Sequence, residues 1–481
     1  MPALRYNHVV NKKFYITTAI PYVNAAPHLG FALEIVQADT IARYHRLLEE
    51  DVHFLSGTDD NALKNVQAAE EKKIPVKKLV KQNSDKFYQL KEALNLSFDD
   101  FIRTTEKRHI NGAQAFWLAC RKEDVYKKKY KGLYCVGCET FYTEKDLING
   151  CCPEHKTKPE VVEEENYFFK LSKYQSWLKE IIAKDELKIT PEIRKNEVLA
   201  FIKRGLEDFS ISRSKKRAHS WGISVPNDES QIVWVWFDAL SNYITALDWQ
   251  NQGKLFQKYW PADVHMIGKG ISRFHAIYWP AMLKSARLSL PKEIFVHGYI
   301  TVNGQKISKS LGNTIDPFEL IKKYGTDPIR YYLLKEIPAY NDGDFSEKRF
   351  REVYNADLAN GLGNLVARVA KLCEKADFEF KNSNKLIDWS KLSQFLNEYR
   401  LNEALKFIWE KISEADHYLD KNKPWLLTGN KLNEILTDLV SKVKEISILL
   451  QPFLPKTAEK ILKQFQGPKI KSEPPLFPRI K

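Results

Sequence analysis

The stretch from Tyr22 to Asp39, "YVNAAPHLGFALEIVQAD", sets a Pro, a His and a Gly directly ahead of a helix-like run, Ala32 to Tyr44. A strand-to-helix turn of this kind suits phosphate. The glycine lets backbone approach a ligand, and the helix start presents free N–H groups. His28 could donate to a phosphate oxygen. A second cationic or hydrogen-bonding side chain on the helix would strengthen such a site, but the next position is Phe31.

Two further groups of residues could do chemistry. "GQKISKSLGN" (304–313) carries Lys306 and Lys309 three apart, with Ser308 between them and Gly on both sides. A Gly-bounded loop lets backbone N–H groups reach phosphate, and two ammonium groups could hold a triphosphate as charge moves to its leaving group. The Walker spacing is absent, and alone the loop also reads as a solvated basic turn. "CVGCETFYTEKDLINGCCPEH" gives Cys135-x2-Cys138 and Cys152-x2-His155. Two pairs of soft ligands, each with a two-residue gap, make a zinc knuckle. Three thiolates and one imidazole fill a tetrahedral shell, so the ion would be structural. Cys151 is an alternative ligand, although Cys152 keeps the two-residue gap to His155.

These groups need a scaffold. "KFYITTAI" (13–20) is aromatic and β-branched and reads as a strand. "VHFLSGTDDNA" (52–62) reads as a second buried strand ending in an acidic loop, followed by a helix from Leu63 to Glu71. Alternating strand and helix predicts an α/β fold with a parallel, doubly wound sheet, whose ligands bind at the carboxyl ends of the strands. The 21–30 and 57–61 loops fall there. Residues 119–225 change character, with the cysteines and Lys-rich stretches, and read as an insertion. Strand-rich text returns at "QIVWVWFDALSNYI" (231–244), "VHMIGKGISRFH" (264–275) and "KEIFVHGYITVNGQKISKSLGN" (292–313). Beyond about 347 the apolar spacing is helical, which predicts an all-α bundle. The Pro-rich end, "SEPPLFPRIK", reads as a tail strapped on the surface. The expected division is 1–118 and 226–302 for the two halves of the sheet domain, 119–225 for the insertion, 303–346 for the lysine-loop segment, and 347–481 for the bundle and tail.

The chain has 481 residues, 43% of them apolar and 28% charged, with 75 Lys and Arg against 61 Asp and Glu. That length predicts two to four domains with ample core. The formal charge of +14 favours a polyanionic partner, nucleic acid being the commonest. The first residues lack the apolar stretch of a secretory signal, and no run approaches the roughly 20 apolar residues of a membrane helix. A cytoplasmic protein without membrane contact is expected. A cysteine cluster in that compartment argues for metal before disulfides.

Taken together, "PHLG" and "KISKS" resemble the paired signatures, usually written HIGH and KMSKS, of class I aminoacyl-tRNA synthetases. "AIPYVNAAPHLG", "SGTDD", the knuckle, "VWFDALSNYI", "IGKGISRFHAIYWPAML", "HGYITVNGQKISKSLGN", "NADLANGLGNLVARV" and "NKPWLL" occur in the order of the methionyl-tRNA synthetase family. The resemblance covers nearly the whole chain. It implies a Rossmann-type catalytic domain, with Mg2+-bound ATP, L-methionine and tRNA(Met) as substrates and one structural Zn2+. The methionine carboxylate attacks the α-phosphate, and a tRNA 3′-terminal hydroxyl then attacks the adenylate. By the same resemblance, His28, Gly30, Ser308, Lys306 and Lys309 serve ATP. Asp59 takes the substrate's α-ammonium. Ile20, Tyr22, Trp236, Ala239, Tyr243 and His275 line the methionine pocket, where aromatic walls suit a polarizable sulfur. Asn364, Arg368 and Trp425 read the anticodon. Without the resemblance, Trp236 and Phe237 read as core residues of a strand, and Trp425 as a packing residue at a helix start.

Three positions depart from the family pattern: Phe31 for the second signature His, Asn61-Ala62 for His-Gly, and Gly270 where an Asp is common. Losing one donor at a transition state typically costs about 100- to 1,000-fold in rate. An active enzyme with a slowed first step is therefore expected, and a tRNA-binding relative without catalysis is the alternative. A class I synthetase for another amino acid is the other alternative. The leucine, isoleucine and valine enzymes carry a longer insertion, and a cysteine enzyme would place thiolates around its pocket. Because the bundle and a short tail end the sequence, a monomer is expected.

Overall fold

A computed structural model describes residues 12–154, 156–306, 313–380 and 387–480. Six strands form one sheet: β1 (Lys13–Thr18), β2 (Asp51–Thr58), β3 (Asp100–Arg103), β4 (Lys188–Thr190), β5 (Val264–Gly268) and β6 (Glu293–His297). Their spatial order is β3-β2-β1-β5-β6-β4, and every pairing is parallel. β1 and β5 are buried along "FYITT" and "VHMI", and their polar side chains are matched inside, as where Thr17 Oγ1 lies 2.7 Å from His265 Nδ1. The order reverses at β1, whose neighbours are β2 and β5. The crevice outside their carboxyl ends is where such sheets bind ligands.

Helix α1 (Leu29–Leu47) leaves that crevice and packs on the sheet, with nearly all its residues buried. α2 (Leu63–Glu71) occupies the residues its apolar spacing predicts. α3 (Val76–Ala93) and α4 (Lys107–Ala119) follow. The segment 119–225 builds a small antiparallel sheet around the cysteines, with Val125–Cys135 pairing Glu160–Phe169 and Thr140–Tyr142. Lysines on one strand face glutamates on the other, as at Lys129↔Glu165 and Lys131↔Glu163. This Lys-rich run is therefore matched across the hairpin by acid. The same segment also returns Lys188–Thr190 to the main sheet as its edge strand β4, a contribution too short to show in the sequence pattern.

The stretches at 231–244 and 264–275 read as strands beyond their true ends. The strand stops at Val233, and helices Val235–Leu240 and Asn242–Thr245 follow. Trp236 and Phe237 are therefore helical. Beyond Gly268 the chain turns through Lys269–Ile271 into a π-helical stretch, Phe274–Tyr278. The first run is mostly apolar and the second is apolar at its start, and a short apolar run carries no periodicity to separate strand from helix.

From Glu347 onward the described residues are mostly helical, with Leu401–Asn422, Gly429–Leu450 and Pro455–Gln464 packed in sequence. The tail lies on this bundle. Phe477 is buried, and the Asn355 amide makes reciprocal bonds with the Ile480 backbone, 2.8 and 3.0 Å. Arg330 ties bundle to sheet domain. Fully buried, it pairs with Asp39 of α1 at 2.7 Å and donates to the carbonyls of Leu94, Pro452 and Phe453. No helix among the described residues is long and apolar enough to cross a membrane.

Candidate active site

His28 is the N-cap of α1 and is exposed at the crevice. Its Nδ1 accepts the Gly30 N–H at 3.1 Å. A backbone N–H can only donate, so the proton of the neutral imidazole sits on Nε2, free to face a ligand. Gly30 is required by this cap, since a Cβ there would lie 2.9 Å from the His28 ring. The turn thus offers an imidazole N–H beside the positive end of a 19-residue helix. Phe31 points elsewhere. It is 8% exposed, with its ring edge-on to Phe87 at 4.9 Å.

The acidic loop after β2 gathers four buried carboxylates, and three are matched. Asp60 accepts two bonds from Arg103 (3.0 and 2.8 Å) and one from Thr105. Asp238 accepts from Asn61 at 2.7 Å and pairs with His109 at 2.6 Å. Glu139 pairs with Arg213 at 2.7 Å and accepts from the Leu63 N–H. Asp59 is the fourth. Its Oδ1 accepts the Asn61 N–H at 3.0 Å, but its fully buried Oδ2 has no hydrogen-bond partner among the described residues. Burial pushes its carboxyl well above the usual range, and the neighbouring Asp238 charge adds to this. An unmatched buried carboxylate is costly, which marks a place for a cation.

Tyr22 bridges to Asp59 backbone-to-backbone, and its own hydroxyl is buried with no hydrogen-bond partner among the described residues. Its ring lies 6.3 Å from Trp236, which stacks on Phe274 at 3.9 Å and 6° and faces His275 at 6.4 Å. Tyr243 Oη lies 2.8 Å from His275 Nε2, whose Nδ1 faces the Ile271 carbonyl at 3.1 Å. That carbonyl fixes the proton on Nδ1, so Tyr243 donates to Nε2. Burial lowers the His275 pKa to about 4, so the ring is neutral. The result is an uncharged aromatic pocket beside an unmatched carboxylate. Ala239 is buried on the Trp236 helix, and Ile20 is half-buried in the loop after β1.

Asn61 and Ala62 fit their places. Asn61 donates to Asp238, and Ala62 is buried at the start of α2. Gly270 is fixed by Tyr299, because a Cβ there would collide with the Tyr299 hydroxyl. Sequence reasoning missed Asp238, His109, Glu139 and Arg213. Nothing in local spacing relates His109 to a residue 129 positions away.

Cys135, Cys138 and Cys152 bring their sulfurs within 4.8 Å of one another, with Cys138 and Cys152 at 3.4 Å. Three thiolates at about 2.3 Å from one tetrahedral zinc would be spaced in this way, so the residues fit a structural ion. Cys151 is outside the cluster and pairs with Ile148 in a tight turn. The knuckle is bonded to the pocket, since Trp236 Nε1 donates to the Cys138 carbonyl at 3.0 Å and Trp234 Nε1 to that of Glu139. His155, Ser308 and Lys309 lie outside the described residues. Lys306 ends the short strand Gln305–Lys306.

In the bundle, Asn364 and Arg368 sit one turn apart on helix Asn364–Lys375. Arg368 pairs with Asp420 at 2.5 Å and Asp416 at 3.5 Å. Trp425, in the short turn Pro424–Leu426, is 51% exposed, so it does not pack the helix start.

A parallel sheet with a His–Gly turn at its switch point, an insertion carrying a cysteine cluster and a C-terminal helical bundle fit the architecture of a class I aminoacyl-tRNA synthetase. Comparisons with known proteins agree. The family "tRNA synthetases class I (M)" matches residues 14–159 and 145–370, and "Anticodon-binding domain of tRNA ligase" matches 387–479. Trp425 falls within the second match; Asn364 and Arg368 fall within the first. The chain is 42% identical to the methionine–tRNA ligase of Thermotoga maritima over 94% of its own length and 75% of that protein's. It is 42% identical to that of Brucella suis biovar 1 over 94% and 91%. Its fold superposes on Mycobacterium tuberculosis methionyl-tRNA synthetase in complex with methionyl-adenylate with a TM-score of 0.91, at 38% identity, covering 97% of this chain and all of that one. Against the apo form of that enzyme the TM-score is 0.84, at 35% identity, covering 99% and all. The chain belongs to the methionyl-tRNA synthetase family.

Proposed function

We propose that this chain charges tRNA(Met) with methionine and that Asp59, the aromatic pocket and the α1 turn divide the work as follows. The α-ammonium of L-methionine binds the unmatched Oδ2 of Asp59, a charge-assisted bond. The thioether lies between Tyr22, Trp236 and His275, with Ile20, Ala239 and Tyr243 closing the pocket. ATP enters as its Mg2+ complex, the ion neutralising phosphate charge. His28 Nε2 donates to a phosphate oxygen, and Gly30 leaves room for the nucleotide. Lys306, Ser308 and Lys309 reach the phosphates from the lysine loop. The methionine carboxylate attacks the α-phosphorus, and the bond to the pyrophosphate oxygen breaks. No protein nucleophile is needed, since the chemistry is positioning and charge stabilisation.

The 2′-hydroxyl of the terminal adenosine then attacks the activated carbonyl and releases AMP. Arg368 would exchange Asp416 and Asp420 for an anticodon base, with Asn364 bonding a second and Trp425 stacking on a third. Cys135, Cys138, Cys152 and His155 hold one zinc, which fixes the Cys138 carbonyl against Trp236. The chain acts in the cytoplasm as a monomer; a sedimenting mass near that of two chains would refute the second point. In domain terms, 1–118 and 226–302 form the catalytic unit, 119–225 the knuckle insertion, 303–346 the lysine-loop segment and 347–481 the anticodon-binding part.

The observation that carries this reading is the buried Asp59 Oδ2, the one oxygen of the four carboxylates without a hydrogen-bond partner among the described residues, on a residue bridged to Tyr22 of the uncharged aromatic group. Methionine-dependent ATP–pyrophosphate exchange tests it. Exchange with methionine, and none with leucine or cysteine at equal concentration, is expected. Absence of exchange with any amino acid would leave a tRNA-binding protein.

A further inference from the structure

A second cavity lies behind the methionine pocket, on the far side of its aromatic wall. Its volume is about 320 Å³, within the roughly 300–1,000 Å³ of small-molecule sites. The insertion contributes Tyr134, Phe141 and Arg217, and the catalytic unit contributes Trp234 and Tyr278, with Phe209 between them. Phe209 stacks on Tyr278 at 4.3 Å and 8° and approaches Trp234 at 5.3 Å. The Arg217 guanidinium lies 3.9 Å over the Tyr134 ring. Its Nη1 is 3.6 Å from Glu164, while its Nη2 is buried with no hydrogen-bond partner among the described residues. The two cavities share a wall, because Trp234 lies 6.1 Å from Phe274, which stacks on Trp236.

Aromatic rings beside a guanidinium whose Nη2 has no hydrogen-bond partner among the described residues match an unstacked nucleobase, which stacks on rings and accepts at its edge. A buried donor left unmatched calls for an acceptor. We propose that this cavity holds the terminal adenine of the tRNA 3′ end while methionine is being activated next door. The inference rests on the reading that tRNA is the second substrate. Holding the base there would keep the acceptor hydroxyls out of the crevice until the adenylate exists. It would also place the strand against the Trp234–Phe274–Trp236 layer that lines the pocket.

Two measurements test this. First, Arg217→Met and Phe141→Ala are assayed for methionine-dependent ATP–pyrophosphate exchange and for aminoacylation. Losing one stacking or guanidinium contact should raise the KM for tRNA roughly 5- to 150-fold, with exchange unchanged. An unchanged KM for tRNA in both variants overturns the proposal. Second, wild-type zinc-loaded enzyme, supplied with ATP and no methionine, is irradiated with tRNA whose 3′-terminal base is 8-azidoadenine. Label on the peptides containing Tyr134–Phe141 or Arg204–Arg217 supports the cavity, and this arm decides should a variant misfold. Label confined to the crevice around His28 and Trp236 overturns it. Wild-type enzyme that performs no exchange at all would instead defeat the synthetase reading.

Discussion

Asp59→Asn separates stability from function. In the free protein the Asp59 carboxyl is buried, one oxygen has no hydrogen-bond partner among the described residues, and Asp238 lies nearby. Its folded-state pKa is raised, so the protonated form favours the fold. Stability therefore falls as pH climbs from the ordinary carboxylate range through that raised value, and it stays lower above it. Asparagine keeps the Oδ1 that accepts from Asn61 and removes the charge. Relief of an unmatched buried charged group is worth about 1–3 kcal/mol. At about 2–4 °C per kcal/mol for a mid-sized domain, the variant should melt several degrees above wild type at pH 7.5. Methionine reverses the order. At 100 times its dissociation constant, a ligand stabilises by about 2.7 kcal/mol, so wild type should gain several degrees on adding methionine and the variant nothing. Pyrophosphate exchange should fall by at least 10-fold, the worth of a charge-assisted bond of about 1.5–3 kcal/mol. Thermal melts with and without methionine, paired with exchange rates, decide the matter. A variant that melts below wild type, or that keeps the methionine-induced rise, refutes the assignment of Asp59.

Phe31→His should raise the exchange rate by up to about 100- to 1,000-fold if the missing imidazole limits activation. It should also lower stability, because Phe31 is buried against Phe87; an unchanged rate clears Phe31 of blame. Cys138→Ser should lower bound zinc below one ion per chain by metal analysis. It should also raise the KM for methionine, since the Cys138 carbonyl holds Trp236; a zinc-free protein with an unaltered KM contradicts that link. With His275 near pKa 4 in the fold and about 6.5 unfolded, its share of stability is complete above pH 6.5. On the order of 3 kcal/mol is lost as pH falls towards 4. His275→Asn should flatten that acid limb in pH-resolved melts.

The parts of this molecule legible from sequence are those where one segment carries the whole signal. Leu63–Glu71 shows its helix because one face is apolar, and the cysteines show a metal because two pairs keep a two-residue gap. "YVNAAPHLG" shows a turn because Pro fixes its own φ and Gly, without a Cβ, lets the backbone bend close. The helical setting of Trp236 was not legible, because the short apolar run around it carries no period that separates strand from helix. Lys188–Thr190 was too short to register as an edge strand. The environment of Asp59 was out of reach for another reason. Asn61, His109 and Asp238 meet only after folding, and whether a carboxylate is matched depends on partners scattered over the chain. Phe31 could be named as a departure, but its burial against Phe87 could be seen only in three dimensions.

The order of the central sheet has a consequence for biogenesis. β1 is made well before its partner β5, which follows the knuckle insertion and the pocket helices. At ~5–20 residues per second, a ribosome needs on the order of ten seconds or more to travel from Thr18 to Val264. During that interval β1 and β2 can pair, but the other edge of β1 (the β-branched and aromatic "FYITT") has no native neighbour. An open strand edge on a nascent chain is an aggregation hazard. Successful synthesis of this chain then depends on what shields that edge until Val264–Gly268 emerges, so slowed translation between the two strands should lower soluble yield more than slowing within the helical bundle.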